Sequence, residues 1–452
     1  MRGAGLRAHV WAALAATFLA APAAAESLAD ALADAYRNSN LLEQNRAVLR
    51  AADEDVAGAV SALRPVLNFV ASAGYSEPAA GDNLSASVAL TAEITLFDFG
   101  SNKLGVDAAR ESVLATRQAL LGVEQRVLLA AVSPYMDLVS PAEFVRLREA
   151  NVRLIGEELR AANDRFEVGE VTRTDVSIAQ ARLAGANANL AAAQGDLQVA
   201  IESFRAAVGR SPGTLSGPGR SPQTAATLEE AQAIGVRTHP SIRQAQHEVT
   251  VAELNAERAR LGTRGRLTGD ARVGLDQDGD SSSSVGLSFR QPIYQGGRLS
   301  SHYRQALASR DASRAGLLET QRTVARDIGT AWARLQVAEA QIRASEQQVR
   351  AAQVAFEGVQ EEARLGARTT LDVLNAEQEL LDARTARIDA GTQQVVAVYA
   401  LLSAMGLLTV EHLGLGVPVY DPAAYYNAVR TAPATSVQGQ RLDRLLESLG
   451  RN

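Results

Sequence analysis

The chain matches itself at a constant offset, and that repeat restricts its fold more than any other feature. A shift of 197 residues pairs Val88 with Val285, Leu90 with Leu287, Gly100 with Gly297, Tyr135 with Trp332 and Gly169 with Gly366. The same register carries Thr172 onto Thr369, Asp175 onto Asp372 and Gly209 onto Gly406. No gap is needed over roughly 120 residues, and chance does not hold glycines in one register that long. Upstream the offset is 200: SLADA at 27–31 matches TLEEA at 227–231, and Gly74 matches Gly274. The expected division is repeat 1 at 26–209, a linker at 210–225, repeat 2 at 226–409 and a C-terminal segment at 410–452. The linker opens with RSPGTLSGPGRSP, whose glycines, prolines and serines suit a connection.

Each repeat reads as helix, β-hairpin, very long helix, tight turn and return helix. The hairpins fall at 67–97 and 266–294. Leu84, Ala86, Val88, Leu90, Ala92, Ile94 and Leu96 alternate with Ser85, Ser87, Thr91, Glu93 and Thr95, giving one apolar and one mostly polar face. The long helices span about 100–168 and 297–365, the return helices 172–209 and 369–406, and shorter helical segments precede the hairpins at 27–63 and 226–262. No proline lies between Ile293 and Val417. At 1.5 Å per residue the long helices reach roughly 100 Å, far beyond the roughly 8–20 residues of ordinary globular helices. Ile328, Leu335, Ile342, Val349 and Phe356 recur every seven residues, as do Ala131, Leu138, Val145, Val152 and Leu159 in repeat 1. Such heptads signify coiled-coil packing between neighbouring helices. Aromatics make up only 4 % of the chain, which suits slender coiled coils better than a thick core. Pro134 and Pro141 break the symmetry, since repeat 2 has Ala331 and Ala338 there. Each removes a backbone donor and crowds the preceding turn, so a kink or local unwinding is expected in repeat 1 alone.

Residues 1–25 read as a cleaved signal peptide: Arg2 and Arg7, an apolar run from Val10 to Ala21, then Ala23-Ala24-Ala25 before Glu26. The run is too short for a membrane helix, which needs roughly 20 apolar residues. Any membrane crossing by the mature chain must therefore use β-strands. One chain offers four strands, whereas a closed barrel in lipid needs about eight or more, so a membrane role demands an oligomer. The chain lacks cysteine, and its formal net charge of −6 argues against a nucleic-acid partner. Histidines at 9, 239, 247, 302 and 412 have no ligand spacing, and His239 and His247 are expected at the surface. No nucleophile-elbow or phosphate-loop motif occurs. Neither catalysis nor a cofactor or metal is expected.

The segments SLADALADAYRNSN, LTAEITLFDFG, RFEVGEVTRTDV, SFRQPIYQGGR and ARLGARTTLDVLNAEQELLDAR, in this order over two repeats, resemble the outer-membrane efflux protein family, the TolC-like channels. The resemblance implies a mainly α fold with a membrane β-barrel: a homotrimer with a twelve-stranded barrel in outer-membrane lipid and a long periplasmic helical coiled-coil barrel. Phe97, Gly100, Tyr294 and Gly297 would mark the barrel-to-helix junctions, and 410–452 would hold the equatorial segment and tail. The turns at Gly169 and Gly366 would form the periplasmic tip. There a periplasmic adaptor (membrane fusion protein) and an inner-membrane ABC or proton-driven transporter would dock. Arg368, Thr174 and Asp175 match the family's closing latch, Asp372 its acidic constriction, and Asn375 stands where a second acid is expected. An aromatic latch residue is replaced by Ala363. Read from the residues alone, Asp175 and Asp372 are helix-capping acids near their N-termini, a role compatible with gating. The resemblance implies an export duct serving type I protein secretion, with multidrug efflux as the alternative. The rival class is a periplasmic coiled-coil adaptor or scaffold, against which two hairpins with apolar faces and two helical tips argue.

Overall fold

The computed structural model describes residues 26–76, 83–217 and 219–448. The signal-peptide reading of 1–25 and the first hairpin tip at 77–82 lie outside the described residues. The first half runs α1 (Leu28–Asn38), α2 (Asn40–Ser61), β1 (Val66–Ser76), β2 (Asn83–Phe97), α3 (Ser101–Glu167) and α4 (Arg173–Val208). The second runs α5 (Leu228–Thr238), α6 (Pro240–Leu261), β3 (Arg266–Asp276), β4 (Ser281–Arg290), α7 (Arg298–Arg364) and α8 (Thr370–Ala404). Three short helices follow: α9 (Val410–Leu413), α10 (Pro422–Val429) and α11 (Val437–Ser448).

Both α3 and α7 have 67 residues, about 100 Å at the α-helical rise. Each packs along its return helix, α3 on α4 and α7 on α8, while α2 and α6 continue the columns toward the sheet. The leading segments are not single helices. Ser39 adopts an extended backbone and its side chain accepts the Leu42 N–H, so one helix ends and another starts. In the second half Pro240 at the first turn of α6 forces extended geometry on His239. His239 is half-buried, its ring nitrogen accepting the Ser241 N–H at 3.2 Å, and burial holds its pKa down. His247 is also half-buried, 2.8 Å from Glu111 on α3, so neither histidine is the free surface residue expected.

Pro134 and Pro141 lie inside α3, which runs through both as unbroken helix. The expected local unwinding does not occur. Ala131, Val132, Tyr135, Met136, Leu138 and Val139 are all buried in the main core, so packing on both sides of Pro134 and just before Pro141 offsets their local cost. That core joins α1, α3, α4, α5, α7 and α8 around Tyr135, Phe204, Ile328 and Leu401. The Tyr135 hydroxyl donates to the Ser216 carbonyl at 2.6 Å and the Glu26 carbonyl at 3.0 Å, tying the linker to the start of the chain. Burial pushes its pKa up to about 12. Smaller clusters line the hairpins toward the helical tip, around Ile155, Ala179 and Leu374, and around Phe356 and Val373.

The four strands form one antiparallel sheet in the order β1-β2-β3-β4. Among the described residues β1 and β4 are its edges. Leu67, Phe69, Leu90, Val88, Val273, Leu287 and Phe289 share one face, as their pairings show. Phe69 is 73 % and Leu287 72 % exposed, so among the described residues nothing covers that face.

Candidate functional site

Two ends of the molecule carry the features a duct needs: the turns joining each long helix to its return helix, and the sheet. Both turns are built alike. Gly169 and Gly366 have φ of +80° and +79°, which a side chain would strain. The Gly169 N–H donates to the Phe166 carbonyl and the Glu170 N–H to Arg165; Gly366 and Ala367 repeat this with Ala363 and Glu362. This paired pattern closes a helix C-terminus on a left-handed residue. Three residues on, Thr172 and Thr369 start the return helices with reciprocal caps. Thr172 Oγ1 accepts the Asp175 N–H while the Asp175 carboxylate accepts the Thr172 N–H at 2.9 Å; Thr369 and Asp372 repeat the pair. The threonine hydroxyl and N–H hold both carboxyls below the usual carboxylate range. Asp175 and Asp372 are thus capping residues.

Arg368 is exposed and its Nε donates to Glu362 Oε2 at 2.8 Å, within its own turn. Among the described residues Arg368 makes no hydrogen bond or ion pair with Thr174 or Asp175 of the same chain. Thr174 is exposed, and Ala363 is buried against the hairpin core. Asn375 accepts from Arg182 of α4 at 3.1 Å, linking the two halves just above the turns. A second link there was not visible in the sequence: Asn151 of α3 donates to the buried Glu377 of α8, whose carboxyl is pushed up by burial. A polar residue on a helix carries no sign of what faces it, so only the fold reveals this pair.

At the other end Gly100 and Gly297, with φ of +89° and +84°, turn the chain from strand to long helix. Phe97 packs on Phe99 at 4.7 Å between ring centres, and Tyr294 is 86 % exposed. Asp98 accepts the N–H groups of Gly100 and Asn102, anchoring the start of α3. Among the described residues no helix is long and apolar enough to cross a membrane, and no cluster of histidine, aspartate or glutamate could hold a metal.

A family model described as outer membrane efflux protein matches residues 31–210 and 236–407, both halves of the chain. The chain is 36 % identical over 405 residues to the outer membrane efflux protein BepC of Brucella suis, covering 88 % of this chain and 89 % of that one. It is 25 % identical over 384 residues to the outer membrane protein TolC of Vibrio cholerae, covering 79 % and 86 %. The solved structure of CusC superposes with a TM-score of 0.75 at 19 % identity, over 84 % of this chain and 92 % of that one. With both halves matched and the fold shared, the chain belongs to the outer membrane efflux protein family, as a TolC-like protein.

Proposed function

We propose that this chain is the exit duct of a tripartite export system: three copies close a barrel in the outer membrane and a helical conduit in the periplasm, and the helical tip opens when an adaptor and an inner-membrane transporter dock. The observation that carries this is the sheet. Four strands with a bare apolar face and two open edges cannot be stable in lipid alone. Edge-to-edge pairing with two further copies removes the edges and turns the apolar face to lipid. The hairpins about 100 Å long supply the conduit.

The tip is proposed as the gate. The Arg368–Glu362 pair is exposed, and such pairs are worth about 1 kcal/mol or less, so in the closed trimer Arg368 can exchange it for Thr174 and Asp175 of a neighbouring copy, a latch weak enough for docking to release. Three copies of Asp372 then ring the narrowest point. Asn375 adds no second ring and is held by Arg182. Single-channel recording of Asp372→Ala tests this: reduced preference for cations supports the ring, and unchanged selectivity removes Asp372 from it.

Type I secretion of a polypeptide through an ABC transporter is the reading favoured by the C-terminal part, LLDARTARIDA through DPAAYYNAVR. Relatives in Pseudomonas aeruginosa divide, one named for alkaline protease secretion and one for pyoverdine export. Deleting the gene separates the two: loss of a secreted protein supports type I secretion, and increased drug sensitivity with an unchanged secreted set supports multidrug efflux.

A further inference from the structure

The polar face of the sheet carries an unusual charge arrangement where it meets the long helices. Arg266 opens β3 and Arg290 closes β4, and the two stand directly opposite each other in register. Directly opposed like charges on one face of a sheet destabilise it. The matching positions in the first half are Val66 and Glu93, also directly opposite each other. One half of the duplicated chain therefore has an apolar residue facing an acid where the other half has two arginines.

Arg266 and Arg290 line a cavity of about 700 Å³ together with Arg264, Arg298, Glu93 and Asp98. The four arginines outnumber the two acids, and among the described residues neither acid pairs with them. The Asp98 carboxylate is occupied by the N–H groups of Gly100 and Asn102. Among the described residues Glu93 enters no ion pair, and its cross-strand neighbour is Asp270 rather than an arginine. Arg264 stacks over Phe99 at 5.4 Å, and Arg298 donates to Gln295 at 2.7 Å, so neither has an acidic partner among the described residues. Arg64, the first-half counterpart of Arg264, is instead taken up by the Ala432 carbonyl and Asp443 of the C-terminal tail.

We propose that Arg266 and Arg290, with Arg264 and Arg298 beside them, form an anion-binding collar at the base of the barrel lumen that engages carboxylate-bearing solutes in transit. The inference rests on the duct reading, which places the polar face of the sheet inside the barrel. Guanidinium groups present paired donors that match a carboxylate, so an acidic peptide segment fits better than a single small anion. Repetition in three copies makes the collar multivalent. It is opposite in sign to the Asp372 ring at the far end of the conduit.

The purified trimer in planar bilayers at low salt, with hexaglutamate added to each side in turn, tests this. A collar gives current block from the barrel side at submillimolar peptide, and R266Q/R290Q raises the half-blocking concentration at least tenfold. Hexalysine from that side gives no such block. Glu93→Gln removes the nearby acid and lowers the half-blocking concentration, which keeps a readout if the double variant does not assemble. Normal conductance with no hexaglutamate block, or block unchanged by R266Q/R290Q, overturns the collar while leaving the duct intact. Intact trimers that conduct nothing even in Arg368→Ala, which removes the proposed closing latch, overturn the duct reading and the collar with it.

Discussion

Thr172 and Thr369 each hold two hydrogen bonds that start a return helix at the tip. Replacing either with alanine removes the cap and costs about 1 kcal/mol. Hydrogen exchange in the first turn of α4 in Thr172→Ala, or of α8 in Thr369→Ala, is expected to quicken about fivefold. Unchanged exchange there contradicts the capping role. The capped carboxyls of Asp175 and Asp372 titrate below their ordinary range, so their contribution is present above the unfolded value near pH 4 and is lost as pH falls through the lowered value. Between pH 8 and pH 5 the caps stay closed, and mild acid does not open the tip through them. Glu124 behaves oppositely. It is buried and accepts the Val410 N–H at 2.7 Å, yet burial pushes its carboxyl up. A raised pKa favours the folded state at low pH and costs stability as pH rises through it. Glu124→Gln keeps the acceptor and removes the charge, so melting temperature rises at pH 8 and the gain shrinks toward pH 4. A gain independent of pH contradicts this. The threonine–aspartate caps could be read from the sequence because their spacing is local. Glu124 and the Asn151–Glu377 pair could not, since their partners are 286 and 226 residues away.

At the scale of elements, the long helices were legible from the proline-free run and the heptads, because both are properties of contiguous sequence. The breaks at Ser39 and His239 were signalled by capping residues and Pro240 but lay hidden in otherwise helical segments. The prolines of α3 cause no local unwinding, which the sequence could not show: their local cost is readable, whereas the packing that offsets it comes from other helices. Restoring the missing donors without loss of volume elsewhere is expected to help, so Pro141→Ala raises stability by about 1–3 kcal/mol. A loss in the melting temperature of the trimer contradicts that and assigns the proline a packing role. Tyr135→Phe leaves the Ser216 carbonyl in the linker short of a donor, while the Glu26 carbonyl keeps the Ser216 N–H and hydroxyl, and is expected to cost about 1–3 kcal/mol. Limited proteolysis within 210–217 checks it, faster cleavage being the expected result and unchanged cleavage the contrary one.

At the scale of the whole molecule, the duplication sets the count. Each half contributes one hairpin to the sheet and one long helical hairpin to the tip, and the sheet pairs the halves through β2 and β3. The sequence showed that four strands are too few, because strand number and lipid thickness are general constraints. It could not show which charges meet on the polar face, because register between β3 and β4 decides that Arg266 faces Arg290. The assembly itself is tested most directly by counting chains in the particle extracted from outer membranes in mild detergent, using native mass spectrometry. Edge strands that close a shared barrel give three chains per particle, dissociated only by heating. A single chain that stays monodisperse without detergent contradicts a shared barrel, and with it the reading of this protein as a duct.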